Sequence, residues 1–318
     1  VEFQNKYWSN VNVWSCENTE VEMVVKKLNS VGRFRNSFEL IYGNGTKMLV
    51  SDELMLDSVI QLLHGSKDGM PEPFEFVKIL TYLDKSDSPI VKENIMMVEL
   101  LFYNYIRHDV NLRHFQLFYG ILHNPSTMLE LIKLAWLPDN EQAKEIRKNE
   151  FAKNKNLSSI AKIALEILHG LEAQPCENNN GVVNGQDLKK YAKELLEAAK
   201  SEYLERPAMY VIGKLLGNIN LGEDYPPPYL GEILEELDKD EIDDEYRRQL
   251  FNRHGFTCRA YNEGGTIERK REKKFLSYAE KTRFTYDRIS IVFEKLASEY
   301  HHMGDREDVN AKLEDLDN

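Results

Sequence analysis

Apolar residues recur every three or four positions in one segment of this chain after another, and only one short segment resists that period. From Asn184 onward, Leu188, Tyr191, Ala192, Leu195, Ala199 and Tyr203 fall on one side, with lysines and glutamates on the other. This is the 3.6-residue repeat of a helix with one buried stripe. Asn184 is placed to cap it, with Asp187 at the third position. Ser51 or Asp52 opens a helix bearing Leu54, Val59, Leu62 and Leu63, and Gly65 stops it. Asn124-Pro125 starts another, whose inward face reads Met128, Leu131, Ile132, Ala135 and Trp136. From Ile95 to Ile106 the run is apolar nearly all round, interrupted by Glu99 and Asn104, as suits a helix inside a bundle. Further helices are read from Arg206 to Leu216, Tyr229 to Leu237, Thr266 to about Arg283 and Tyr286 to Tyr300.

The sum is an all-α fold, an irregular bundle or solenoid-like array of roughly ten to thirteen helices. The resisting segment is Phe38 to Val50, where Asn44-Gly45 suits a tight turn and a small hairpin near 38–50 is the alternative. The loop 173–185, rich in proline, asparagine and glycine, is expected to divide an N-terminal lobe, 1–172, from a C-terminal lobe, 186–304. The acidic end, 305–318, is expected to fray.

Composition narrows the function classes. The formal net charge of -12 speaks against a general nucleic-acid binder, because phosphate contacts need a concentrated basic surface. No apolar run approaches the roughly 20 residues that span a bilayer, so no membrane partner is expected. Cys16, Cys176 and Cys258 are odd in number, far apart and without CxxC spacing. That pattern fits reduced thiols in a cytoplasm better than disulfides or a zinc site. The chain begins at Val1, which we read as the start of a piece of a longer polypeptide.

The polar oddity of the chain is the stretch from Asn252 to Arg269, where glycines, charges and a histidine crowd between helical segments. Arg253, Arg259, Glu263, Glu268 and Arg269 supply polar contacts there, and Gly264 and Gly265 admit backbone shapes closed to other residues. The Gly264-Gly265-x-x-Glu268-Arg269 loop within it lacks a nucleophile, ligand set or phosphate cradle, so we read the stretch as an interaction surface or as a joint locking the last helices. The run 269–274 is the only dense basic segment; it reads by default as a solvated helix face, with the acidic stretch Glu232 to Glu245 as the part of the chain that could face it. Failing that, it offers a local contact to nucleic acid. Asn178-Asn179-Asn180-Gly181 has an EF-hand look, yet Cys176 stands where the first carboxylate belongs, so a turn is expected and no metal. No Walker loop, nucleophile elbow or dinucleotide fingerprint occurs, and no cofactor is expected.

One enzymatic alternative rests on Arg107 and His114. The pair resembles the Arg–His spacing, roughly four to six intervening residues, of all-helical HEPN-type RNases, in which histidine acts as general acid or base and arginine steadies phosphorane charge. Arg248 with His254 is a second such pair, weakened by Gly255.

A broader resemblance covers roughly residues 160–310. It is carried by Leu188, Arg206, Ile212-Gly213, Leu215-Leu216, Asn252-Arg253-x-Gly255, Arg259, Gly264-Gly265-x-x-Glu268-Arg269, Leu296-Ala297, Tyr300 and Glu307-Asp308. In this order they resemble the C-terminal helical region of large bacterial multidomain proteins of antiphage-defence or NTPase-coupled type. Phe284-Thr285-Tyr286 departs from that pattern, where Trp-Pro often separates the last two helices. The resemblance implies a non-catalytic, cytoplasmic scaffold region. Its partners would be a protein or other modules of the same polypeptide.

Overall fold

The computed structural model describes all residues except 1, 12, 14–15, 44–48, 63–64, 66–68, 109–114, 179, 254–262 and 317–318. The described residues form seventeen helices and no strand. The first are α1 (Glu2–Trp8), α2 (Val21–Ser30), α3 (Phe34–Gly43), α4 (Asp52–Leu62), α5 (Pro73–Leu83), α6 (Pro89–Leu101), α7 (Tyr103–Ile106) and α8 (Gln116–His123). Then come α9 (Pro125–Ala135), α10 (Glu141–Lys153), α11 (Lys155–Gly170), α12 (Gly185–Ser201), α13 (Glu205–Gly217), α14 (Pro228–Leu237), α15 (Asp240–Asn252), α16 (Thr266–Thr282) and α17 (Asp287–Leu316). The chain forms two compact units, Val1–Gly120 and Ile121–Asn318, with the boundary inside α8.

The all-α reading holds, and the first arm of the alternative hairpin does not: Phe38 to Gly43 lie in α3, with Phe38, Leu40 and Ile41 buried. The Asn44-Gly45 turn falls outside the described residues. The reason is periodic, since residues 34–41 bury one helical face, which a strand would split between two sides. The expected Ile95–Ile106 helix is broken at Phe102, whose ring sits 4.5 Å from that of Phe76. Phe38, Phe76, Phe102 and Tyr105 form the aromatic centre of the first unit. Such pairs add about 1 kcal/mol each beyond area burial.

Segment 173–185 lies inside the second unit rather than between two lobes, because hydrogen bonds hold it there. The Cys176 amide donates to the Leu122 carbonyl (3.0 Å), and the Asn184 amide to that of Cys176 (3.1 Å). Asn178 Oδ1 accepts from the Asn180 and Val182 amides, a side-chain-closed turn of the kind expected there. Asn184 accepts from Gln186 and Asp187 and so caps α12 as read from sequence.

In the second unit α13 crosses α15 at close range. A Cβ on Gly213 would stand 2.6 Å from that of Glu245, and one on Gly217 would stand 2.5 Å from that of Gln249. Only glycine permits that approach. The last two helices form an antiparallel pair around Phe275, Phe293 and Tyr300, whose rings stack at 5.8–6.0 Å from Phe275. The acidic end is helical as far as Leu316, where α17 stops, and Asp305 and Asp308 within it are held by Arg269.

Candidate functional site

The stretch that drew attention in the sequence is a clasp. Arg253 donates to the Gly217 (3.0 Å) and Ile219 (2.8 Å) carbonyls and to Asn220 Oδ1 (2.7 Å), closing the C-terminus of α13. A cation at that end also suits the helix dipole. Gly264 takes φ +58°, and the Gly265 amide donates to Asp308 Oδ1 at 2.7 Å. A Cβ on Gly265 would stand 2.4 Å from the Gly304 carbonyl oxygen, so α16 begins in backbone contact with α17.

Arg269, one turn later, bonds Asp305, Asp308 (3.2 Å), Glu272 (3.3 Å) and His301 Nδ1 (2.9 Å). Its hydrogen bond to Asp305, then that to Asp308, holds the guanidinium further above its ordinary range. In turn the Gly265 amide, then Arg269, holds Asp308 below the usual carboxylate range. Glu268 is completely buried beside this contact, and the Glu263 carbonyl accepts from Thr266 Oγ1. Arg259, Gly255 and the rest of 254–262 lie outside the described residues. Arg253 and Arg269 are therefore engaged within the chain itself.

The acidic stretch does not face the basic run. Arg288 gathers Asp238, Asp240 and Asp243, all within 2.7 Å. Glu236 takes Lys189 and Lys193, and Arg247 and Arg248 take Glu299 and Glu245. Lys270, Lys273 and Lys274 are left exposed, with no carboxylate partner among the described residues. Helical geometry explains the miss: the cations point away from the core that α14, α15 and α17 share.

For the RNase alternative, Arg107 Nε lies 3.3 Å from Nε2 of its neighbour His108, both exposed, while His114 falls outside the described residues. No group of three or more metal-ligating side chains occurs among the described residues, and His301 contacts Glu272 and Arg269 instead.

One concavity that sequence reasoning did not find is an open groove of about 1070 Å³ in the second unit. Its floor is aromatic: Trp136, His169 and Tyr210 meet edge to face, with ring centroids 6.0–6.4 Å apart. Arg248 lies over the Tyr210 ring at 5.6 Å. Phe251 closes one end, and Arg206 and Arg306 contribute guanidinium groups from α13 and α17. The other arginines of the groove, 247 and 248, are neutralised by Glu299 and Glu245. Arg206 and Arg306 have no ion-pair partner among the described residues, and both are exposed. Beneath the floor, Lys214 is buried and donates to the His169 carbonyl. Burial, reinforced by Arg248, lowers its ammonium below the ordinary lysine range, against the pull of Glu172.

Trp136 was read as a core residue of α9. It stands instead at the helix C-terminus in extended backbone (φ -123°, ψ 152°), which turns its ring out of the bundle into the groove. The remaining groove side chains come from helices far apart in sequence, so no local motif marks them.

Family models, curated proteins and solved structures were all compared with this chain, and none matches it.

Proposed function

We propose that this chain is a non-catalytic helical interaction region and that the groove of its second unit receives a segment of a protein partner. The observation that carries this reading is the pair Arg206 and Arg306, two guanidinium groups without ion partners among the described residues, lining a groove with the half-exposed Trp136 and Tyr210. Aromatic rings and arginines are the side chains that carry most binding energy at protein interfaces. A volume of this size exceeds what a small metabolite needs and is open along its length. The fitting ligand is an extended peptide with carboxylates for the two arginines and an apolar side chain for the floor. The setting is the one the sequence resemblance implies: a larger, cytoplasmic bacterial protein of antiviral defence, with any enzymatic module elsewhere in the polypeptide.

Display of random peptides tests the reading. Selection on the wild-type chain is expected to enrich sequences with Asp or Glu next to an aromatic or aliphatic residue. The same selection on the Arg206→Glu, Arg306→Glu chain is expected to lose them. Enrichment that ignores both substitutions places the binding surface elsewhere and overturns the reading.

A further inference from the structure

Phe284 is 96% exposed at the turn between α16 and α17, the most exposed large apolar side chain among the described residues. It ends a row of cations. Lys270, Lys273, Lys274 and Lys281 share the face of α16 opposite its buried residues Phe275, Tyr278, Ala279 and Thr282. At 1.5 Å per residue the row is about 16 Å long. Arg283 is exposed beside Phe284. None of these five cations pairs with a carboxylate among the described residues; Lys281 donates only to the Asp224 carbonyl (2.5 Å). Glu280 is the one exposed acidic residue on α16.

We propose that this face of α16 docks on an anionic lipid bilayer, with Phe284 entering the headgroup–acyl boundary. The absence of a spanning segment bears on crossing a membrane, and not on lying against one. In a chain with net charge -12 the attraction has to be local, since exposed charges are screened over about 8 Å at physiological salt. Three features favour a bilayer over a polynucleotide. The cations lie in line on a convex outer face, which suits a planar anionic surface rather than a phosphate backbone tracked through a groove. Phe284 sits beyond the end of the row instead of among the lysines, where a stacking platform for bases would stand. Leu276, 41% exposed, adds apolar surface on the flank.

The test is co-sedimentation of the full chain with phosphatidylcholine vesicles, with and without phosphatidylserine, and in parallel its binding to single-stranded RNA. The expected result is binding only where phosphatidylserine is present, weakening as salt rises. Replacing the four lysines by glutamine should weaken it by far more than tenfold, at about fivefold per charge. Phe284→Ala should weaken it at every salt concentration, and Phe284→Trp should report a blue-shifted emission on binding. All these substitutions sit on exposed positions, and unchanged circular dichroism shows that the variants fold. Three results each overturn the proposal: equal binding to both vesicle types, wild-type affinity in the lysine variant, or RNA binding through the same lysines without vesicle binding.

Discussion

Replacing Glu99 by glutamine should make the chain more stable at neutral pH and flatten its stability against pH. Glu99 lies in α6, is completely buried, and accepts from the backbone amides of Gln116 (3.3 Å) and Leu117 (2.6 Å) at the start of α8. Asp84, at the end of α5, is its neighbour, and both Asp84 oxygens are buried without a donor. Burial first, and then Asp84, pushes the Glu99 carboxyl up to about 9 from 4.5, while the two amides pull it back. Burial also raises Asp84, against the pull of the Glu99 carboxyl, then the Gln116 backbone, then Lys85. One proton held between the two carboxyl groups supplies the donor that Asp84 lacks.

The sign follows from the direction of the shift. Below about pH 4.5 both folded and unfolded chains carry the Glu99 proton, and its contribution to stability is fully present. As pH rises towards 9 the unfolded chain loses the proton while the folded one keeps it, so stability is lost across that window. The slope has a ceiling of about 1.4 kcal/mol per pH unit. Relaxation around the pair narrows the window rather than the slope, leaving roughly 3 kcal/mol between pH 5 and 8. The carboxamide of Glu99→Gln keeps an acceptor for Leu117 and a donor for Asp84, and it does not titrate. The assay is chemical denaturation at each pH for wild type and variant, with amide exchange at Gln116 and Leu117 reporting the site. The difference between the two chains isolates Glu99 from other groups such as Asp243, which burial lifts to about 6 against the pull of Arg288. A difference that stays constant from pH 5 to 8, or that shrinks as pH rises, refutes the reasoning.

Other outcomes follow from the same structure. Gly265→Ala places a methyl group against the Gly304 carbonyl and should cost about 2 kcal/mol in denaturant melts, whereas Thr266→Ala, exposed next to it, should cost well under 1. Arg253→Ala frees the end of α13 and should cost about 1 kcal/mol, with faster amide exchange confined to 217–220. Lys214→Met removes a buried ammonium whose one acceptor is a carbonyl, so the variant should melt at a higher temperature than wild type at pH 7. An RNA-cleavage assay should show no activity that depends on Arg107 or His114, and cleavage abolished by His114→Ala would reinstate the nuclease alternative.

What the sequence disclosed was whatever depends on neighbours in the chain. The caps at Asn124 and Asn184 and the stripe from Leu188 to Ala199 stand where local rules place them, because each needs only three or four adjacent residues. The Gly264-Gly265-x-x-Glu268-Arg269 clasp was legible as a special stretch, but its target was not, since Asp305 and Asp308 lie some forty residues on. Glu99 read as a mere interruption of an apolar run. Its meaning rests on Asp84 and on the amides of α8, which sequence alone does not bring together. The groove was invisible for the same reason: Trp136, Tyr210, Arg206 and Arg306 come from two helices and one helix end, and an exposed arginine carries no mark of the surface it joins.

The interaction reading turns on the groove, and Trp136 makes it measurable. With Trp8 and Trp14 replaced by phenylalanine, Trp136 is the only tryptophan left, and its emission reports the floor directly. Titration with an acidic, aromatic peptide selected on the wild-type chain should shift that emission saturably. Arg206→Ala with Arg306→Ala should weaken the affinity by at least about tenfold without changing the fold, as expected for two charge-assisted hydrogen-bond sites. An emission that does not respond to any selected peptide, or an affinity indifferent to both arginines, contradicts the account.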